Sequence, residues 1–195
     1  MTDSPTRTRW LIVGLIFVTG VLMFIDRVNI SIAAKYIMPE YGLTDVQMGS
    51  IFSAFVLGYA LVQIPGGWLG DRFSPRLVLG TAFLFAAVIG FLMFNGSGAV
   101  LPQVILSFGW GIVVSGVIYV NLAGYHVKSL RGTLTNRGSG VFVTSLYGSA
   151  SVAGYVMGWI ATQGGWAAAG TIQLTLLSLI AATLALALRP DQMSV

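Results

Sequence analysis

From Trp10 to Ile25 the chain reads "WLIVGLIFVTGVLMFI", without one charge, and then Asp26 and Arg27 follow side by side. A helix that crosses about 30 Å of hydrocarbon needs about 20 apolar residues. The run therefore continues through "DRVNISIAA" as one membrane helix with an acid and a base in its outer part. Five more apolar segments follow. The six lie at 10–34, 46–69, 76–95, 100–125, 140–161 and 166–188. The separators, among them "PEYGLTD", "GDRFSPR", "NGSG" and "TQGG", carry turn chemistry. Only helices and closed barrels satisfy their backbone in lipid, and a barrel would show short alternating segments instead. The expectation is an all-α membrane protein, with one six-helix transmembrane domain over residues 1–195.

Composition excludes a soluble domain. Charged residues make up 8% of the chain, hydrophobic residues 56%, and mean hydropathy is +0.86, against about 25% charged in soluble domains. There is no cysteine, so neither a disulfide framework nor a thiolate metal site is available. No phosphate-cradling loop, nucleophile–base pair or ligand cluster appears, so no enzyme and no cofactor is expected.

The net charge of +4 does not point to nucleic acid, because the basic residues report topology. Arg7, Arg9, Arg72, Arg76, Lys128, Arg131, Arg137 and Arg189 all fall on one side of a six-span path. Lys35 alone falls in the opposite loops, and Arg27 lies inside the first span. This positive-inside bias predicts a multi-pass protein of the inner or plasma membrane with both termini cytoplasmic. The apolar run after "MTDSPTRTR" is too long for a signal peptide and reads as a retained first helix.

Placing the second span under the fifth with an offset of 91 aligns Leu43-Thr44 with Leu134-Thr135, Gly49 with Gly140, and Gly67-Trp68-Leu69 with Gly158-Trp159-Ile160. The two spans run in opposite directions, so the match implies a 3+3 inverted repeat, a transporter feature. Chance among frequent Gly and Leu residues is the open alternative.

An ionisable residue inside a span costs at least about 2.5–3.5 kcal/mol at the bilayer centre and therefore faces protein or a water-filled cavity. Arg27 lies about 25 Å above Trp10 at 1.5 Å per residue, in the outer half of its helix. Its planar fork suits a carboxylate or phosphate. Asp26 points about 100° away, so the two need not neutralise each other; anchoring the helix end is the alternative. Tyr59 and Gln63, four apart, share a face of the second span and can line a cavity or bond between helices. Asn121 in the fourth span and Tyr147 in the fifth are further polar candidates. Ala150, Gly154 and Gly158 form a small-residue stripe for close helix packing. His126, the only histidine, is expected to be solvated at the cytoplasmic end of the fourth span.

The loop "GGWLGDRFSPR" resembles the signature loop of the major facilitator superfamily, G-x-x-x-D-R-x-G-x-R/K, between the second and third spans. Gly67, Asp71, Arg72 and Arg76 match it, with Ser74 in place of the second glycine. "FIDRVNISIAA" together with "YGLTDVQMGSIFSAFVLGYALVQIPGGWLGDR" is similar to the anion:cation symporter branch, over residues 8–95. That resemblance implies secondary transport of small organic anions such as sugar acids, coupled to protons or cations. It implies Arg27 as the substrate contact, Asp26 in proton coupling, and Gly67, Asp71, Arg72 and Arg76 as a gating loop.

Residues 100–195 carry Arg131-Gly132 and a glycine-rich helix, and resemble helices 10–12 of a full member at least as well as helices 4–6. The acidic and basic residues usual in the family's fourth helix are absent. A full member has twelve spans in two bundles around a central cavity. Six spans imply a partner besides the anion and the lipid bilayer: a parallel homodimer or another transporter half. A remnant or accessory subunit that does not transport is the alternative function.

Overall fold

The computed structural model describes residues 41–96, 98–128 and 135–187, with isolated positions before them (Gly14, Phe17, Val18, Ala34, Met38 and Pro39). Asp26, Arg27 and most of the first span lie outside the described residues, as does the loop with Arg131 and Gly132. Among the described residues every regular element is helical.

Helix α1 spans Asp45–Arg72, α2 Pro75–Asn95 and α3 Val100–Trp110. A π-helical stretch, Gly111–Tyr119, carries α3 without a break into α4, Val120–Lys128. Helix α5 covers Thr135–Gly170, a second π-helical stretch Thr171–Leu176, and α6 Leu177–Leu186. Helix α1 starts at a capping box. The Thr44 amide donates to Gln47 Oε1 at 2.9 Å, and the Gln47 amide donates back to Thr44 Oγ1 at 3.3 Å. Thr-x-x-Gln ahead of an apolar run encodes this start. Only Phe73 and Ser74 separate α1 from α2, whose first residue is Pro75. Proline's fixed φ suits that position.

Among the described residues four helical runs are long and apolar enough to cross a membrane, and the last, Ser139–Leu186, has 48 residues. At 1.5 Å per residue that is about 72 Å, more than twice the hydrocarbon thickness. The contacts show the run crossing and returning. Phe142 stacks on His126 near the Lys128 end of the bundle. Gly170 meets Phe94 at the far end, and Leu186 meets Gly80 back at the first end. The reversal falls at Gly165, with φ 79° and ψ 171°, a conformation open essentially to glycine alone. Gly165→Ala is expected to lower thermal stability in detergent by about 1–3 kcal/mol while leaving the spans on either side intact by circular dichroism.

The described residues thus supply five crossings. Cysteines placed at Ser74 and Ser97 should label from opposite sides of the membrane. Labelling of both from one side would refute this path.

Helix α2 and the last crossing pack through small side chains. Ala82, Ala86, Ala181, Ala182 and Ala185 interleave with Leu79, Phe83 and Leu174 in the buried core. Asn95 Nδ2 donates to Thr171 Oγ1 at 2.7 Å and ties the two helices at the end away from Lys128. His126 is buried rather than solvated, its ring centroid 5.5 Å from that of Phe142. The aromatic neighbour and the inward face of α4 account for the difference from the sequence expectation.

Candidate functional site

Helix α1 meets the 100–128 rod through backbone rather than side chains. A Cβ on Gly58 would fall on the Phe108 carbonyl, one on Gly66 on the Gly116 carbonyl, and one on Gly111 on the Phe55 carbonyl. Glycines let the two helix axes approach where any larger residue would hold them apart. Three side chains of the rod then donate to α1 carbonyls. Ser107 Oγ reaches Ile51 O at 2.9 Å, Asn121 Nδ2 reaches Gly66 O at 2.8 Å, and Tyr125 Oη reaches Gly70 O at 3.1 Å. In hydrocarbon such bonds also remove polar groups from an apolar solvent.

Asn121 is therefore placed inside this seam. It is 4% exposed, and its amide hydrogens go to Gly66 O and Val117 O. Tyr59 and Gln63 do share a side of α1; Tyr59 is half-buried with its ring 5.8 Å from that of Phe55, and Gln63 is exposed. Tyr147 projects outward from α5, exposed. The exposed surface of α1 also carries Val56, Leu57, Leu61, Ile64 and Trp68.

The signature loop sits at the opposite end of α1 from the capping box. Asp71, Arg72 and Arg76 are all exposed there. The Arg72 guanidinium lies over the Trp68 ring, 5.3 Å from its centroid. That cation–π contact is worth about 0.5–1 kcal/mol at an exposed site and sets a charged and an amphipathic group together, as at a membrane interface. Ser74 occupies the N-cap position of α2. Arg76 stands in the first turn of α2, where the helix dipole disfavours a cation. Gly67 faces open space except for Val120 Cγ1, 3.5 Å from where a Cβ would lie.

At the other end of the bundle Tyr41, Leu43, Met48, Met93, Gln103 and Trp166 line part of a cavity of about 110 Å³. Its walls are mostly apolar, and among the described candidate residues none lines it. The sequence reasoning missed Tyr125 and Ser107. The signal for Tyr125 was its spacing of four from Asn121, which puts both side chains on one helix face.

The chain is similar to several carriers of small acids. It is 44% identical over 110 residues to a probable sulfoacetate transporter of Cupriavidus necator, covering 56% of this chain and 25% of the relative. It is 41% identical over 87 residues to a D-galactonate transporter of Escherichia coli, covering 45% of this chain and 19% of the relative. A probable galactarate/D-glucarate transporter of Escherichia coli matches at 32% identity over 172 residues, 84% of this chain and 37% of the relative. The chain thus spans at most 37% of the length of these relatives. The family model of the Major Facilitator Superfamily matches residues 16–194. Taken with the apolar crossings and the loop at 67–76, this match shows an integral, multi-pass membrane protein that belongs to the Major Facilitator Superfamily.

Proposed function

We propose that this chain forms one six-span bundle of a secondary transporter for small organic anions of the sugar-acid class. The observation that carries the reading is the shared chemistry of the relatives: sulfoacetate, galactonate and galactarate/glucarate, which their names give as cargo, are all small organic anions. In this reading Arg27 holds the anion and Asp26 carries the coupling proton. Tyr59, Gln63 and Tyr147 supply polar contacts, and Gly67, Asp71, Arg72 and Arg76 gate the cytoplasmic side. Proton or cation coupling, and cytoplasmic termini, belong to the same proposal.

The uncovered side of α1 supports a partner. Gln63 is exposed on α1, on the same helix side as Val56 seven residues before it, and a polar tip facing lipid finds no hydrogen-bond partner. A second copy in the same orientation, or another transporter half, covers that side in the proposed assembly. Cysteines at Tyr59 in two copies should crosslink in native membranes if the assembly is a parallel homodimer.

The test is uptake of labelled galactonate and glucarate into proteoliposomes, with and without an inward proton gradient. Gradient-driven accumulation is expected. Uptake no greater than in protein-free vesicles would overturn the reading.

A further inference from the structure

Pro65 sits within α1 and has no N–H to offer the carbonyl four residues back, so it weakens the helix at that turn. Immediately beyond it the chain gains holds from outside. Asn121 donates to Gly66 O and Tyr125 donates to Gly70 O. The donors are four apart on α4, and the acceptors are four apart on α1. Gly66 also lies against the Gly116 carbonyl, and Gly70 against the Asn121 side chain. The end of α1 that carries Gly67, Asp71 and Arg72 is thus weakened on its own helix and fastened to its neighbour.

We propose that Gly66–Arg72 moves as one body with α4, and that Asn121 and Tyr125 are the positioning residues that hold it there. Asp71 and Arg72 then follow α4 and not the outer part of α1. Any displacement of the loop must either take α4 along or break both hydrogen bonds. Resting on the transport reading above, this coupling makes the two residues determinants of the conformational step and not of anion binding.

The experiment uses the full chain in nanodiscs. Backbone hydrogen exchange is measured for the parent, Tyr125→Phe, and Tyr125→Phe combined with Asn121→Leu. Tyr125→Phe keeps the ring and removes only the donor; Asn121→Leu keeps the approximate shape. Exchange over residues 67–73 should rise about fivefold in the single variant, as the loss of one hydrogen bond permits, and further in the double. Residues 45–58 should exchange as in the parent. Tyr155→Phe, on the exposed surface of α5, serves as the control and should change neither segment. Unchanged exchange at 67–73 in the double variant, or an equal rise along all of α1, would overturn the coupling.

In proteoliposomes Tyr125→Phe should lower the maximal uptake rate while the equilibrium affinity for galactonate stays at the parent value. Loss of affinity in step with rate would overturn the positioning role. A parent that takes up no anion would sink the transport reading alone, since the exchange result decides the coupling by itself.

Discussion

Gly66→Ala will disrupt the bundle, while Gly67→Ala will be tolerated as a fold. The two glycines are neighbours on the same turn, so helix propensity treats them alike and favours alanine by about 1 kcal/mol at each. Packing separates them. At Gly66 the new methyl falls on the Gly116 carbonyl, with the Val117 backbone close behind. Backbone cannot swing aside as a flexible side chain can, so the helices must part. Parting them also loosens the Asn121–Gly66 and Tyr125–Gly70 hydrogen bonds. Overpacking of this kind costs about 1–3 kcal/mol, and each lost hydrogen bond adds about 1 kcal/mol. At Gly67 the methyl meets only Val120 Cγ1 at 3.5 Å, an ordinary contact. Thermal unfolding in detergent, followed by size-exclusion fluorescence, should show a large loss for Gly66→Ala and little or none for Gly67→Ala. Equal behaviour of the two would show that the α1–rod seam is not packed backbone to backbone.

Under the proposed transport reading, Arg27→Lys should reduce anion uptake by about 10–100-fold at unchanged expression and topology. The substitution keeps the charge and removes the planar fork, so a carboxylate held by two parallel hydrogen bonds keeps one at best. Hydrogen bonds to charged groups are worth about 1.5–3 kcal/mol, which gives that range. Arg27→Gln removes the charge as well and should abolish uptake. Uptake by Arg27→Gln equal to the parent's would overturn the anion contact proposed for Arg27.

The crossings were legible because their signal is collective. No single residue decides that 76–95 is a membrane helix; some twenty apolar residues do, and α2 runs Pro75–Asn95. Loop chemistry was legible at "TQGG" for a different, local reason: Gly165 takes the positive φ that reverses the chain. The seam between α1 and the 100–128 rod was not legible. Close approach was expected at Ala150, Gly154 and Gly158 on α5, yet among the described residues nothing comes within 4 Å of a Cβ on Gly158. The approach occurs at Gly58, Gly66, Gly111 and Gly116 instead. Glycine spacing marks a smooth helix face but carries no record of which neighbour meets it. Asn121 shows the same ambiguity. A polar side chain in an apolar span seeks a partner, and the sequence does not say whether that partner is a ligand or the Gly66 carbonyl.

The glycine seam also sets the kind of thermodynamics this helix pair obeys. Lipid tails solvate leucine about as well as protein does, so separating α1 from the rod within a bilayer exposes no apolar surface to water. Large heat-capacity changes arise from hydrating such surface. Pulling these two helices apart in the membrane should therefore register as heat absorbed in breaking dispersion contacts and the Ser107, Asn121 and Tyr125 hydrogen bonds, with an enthalpy nearly flat in temperature. Their association should weaken steadily on warming and show no cold-labile side.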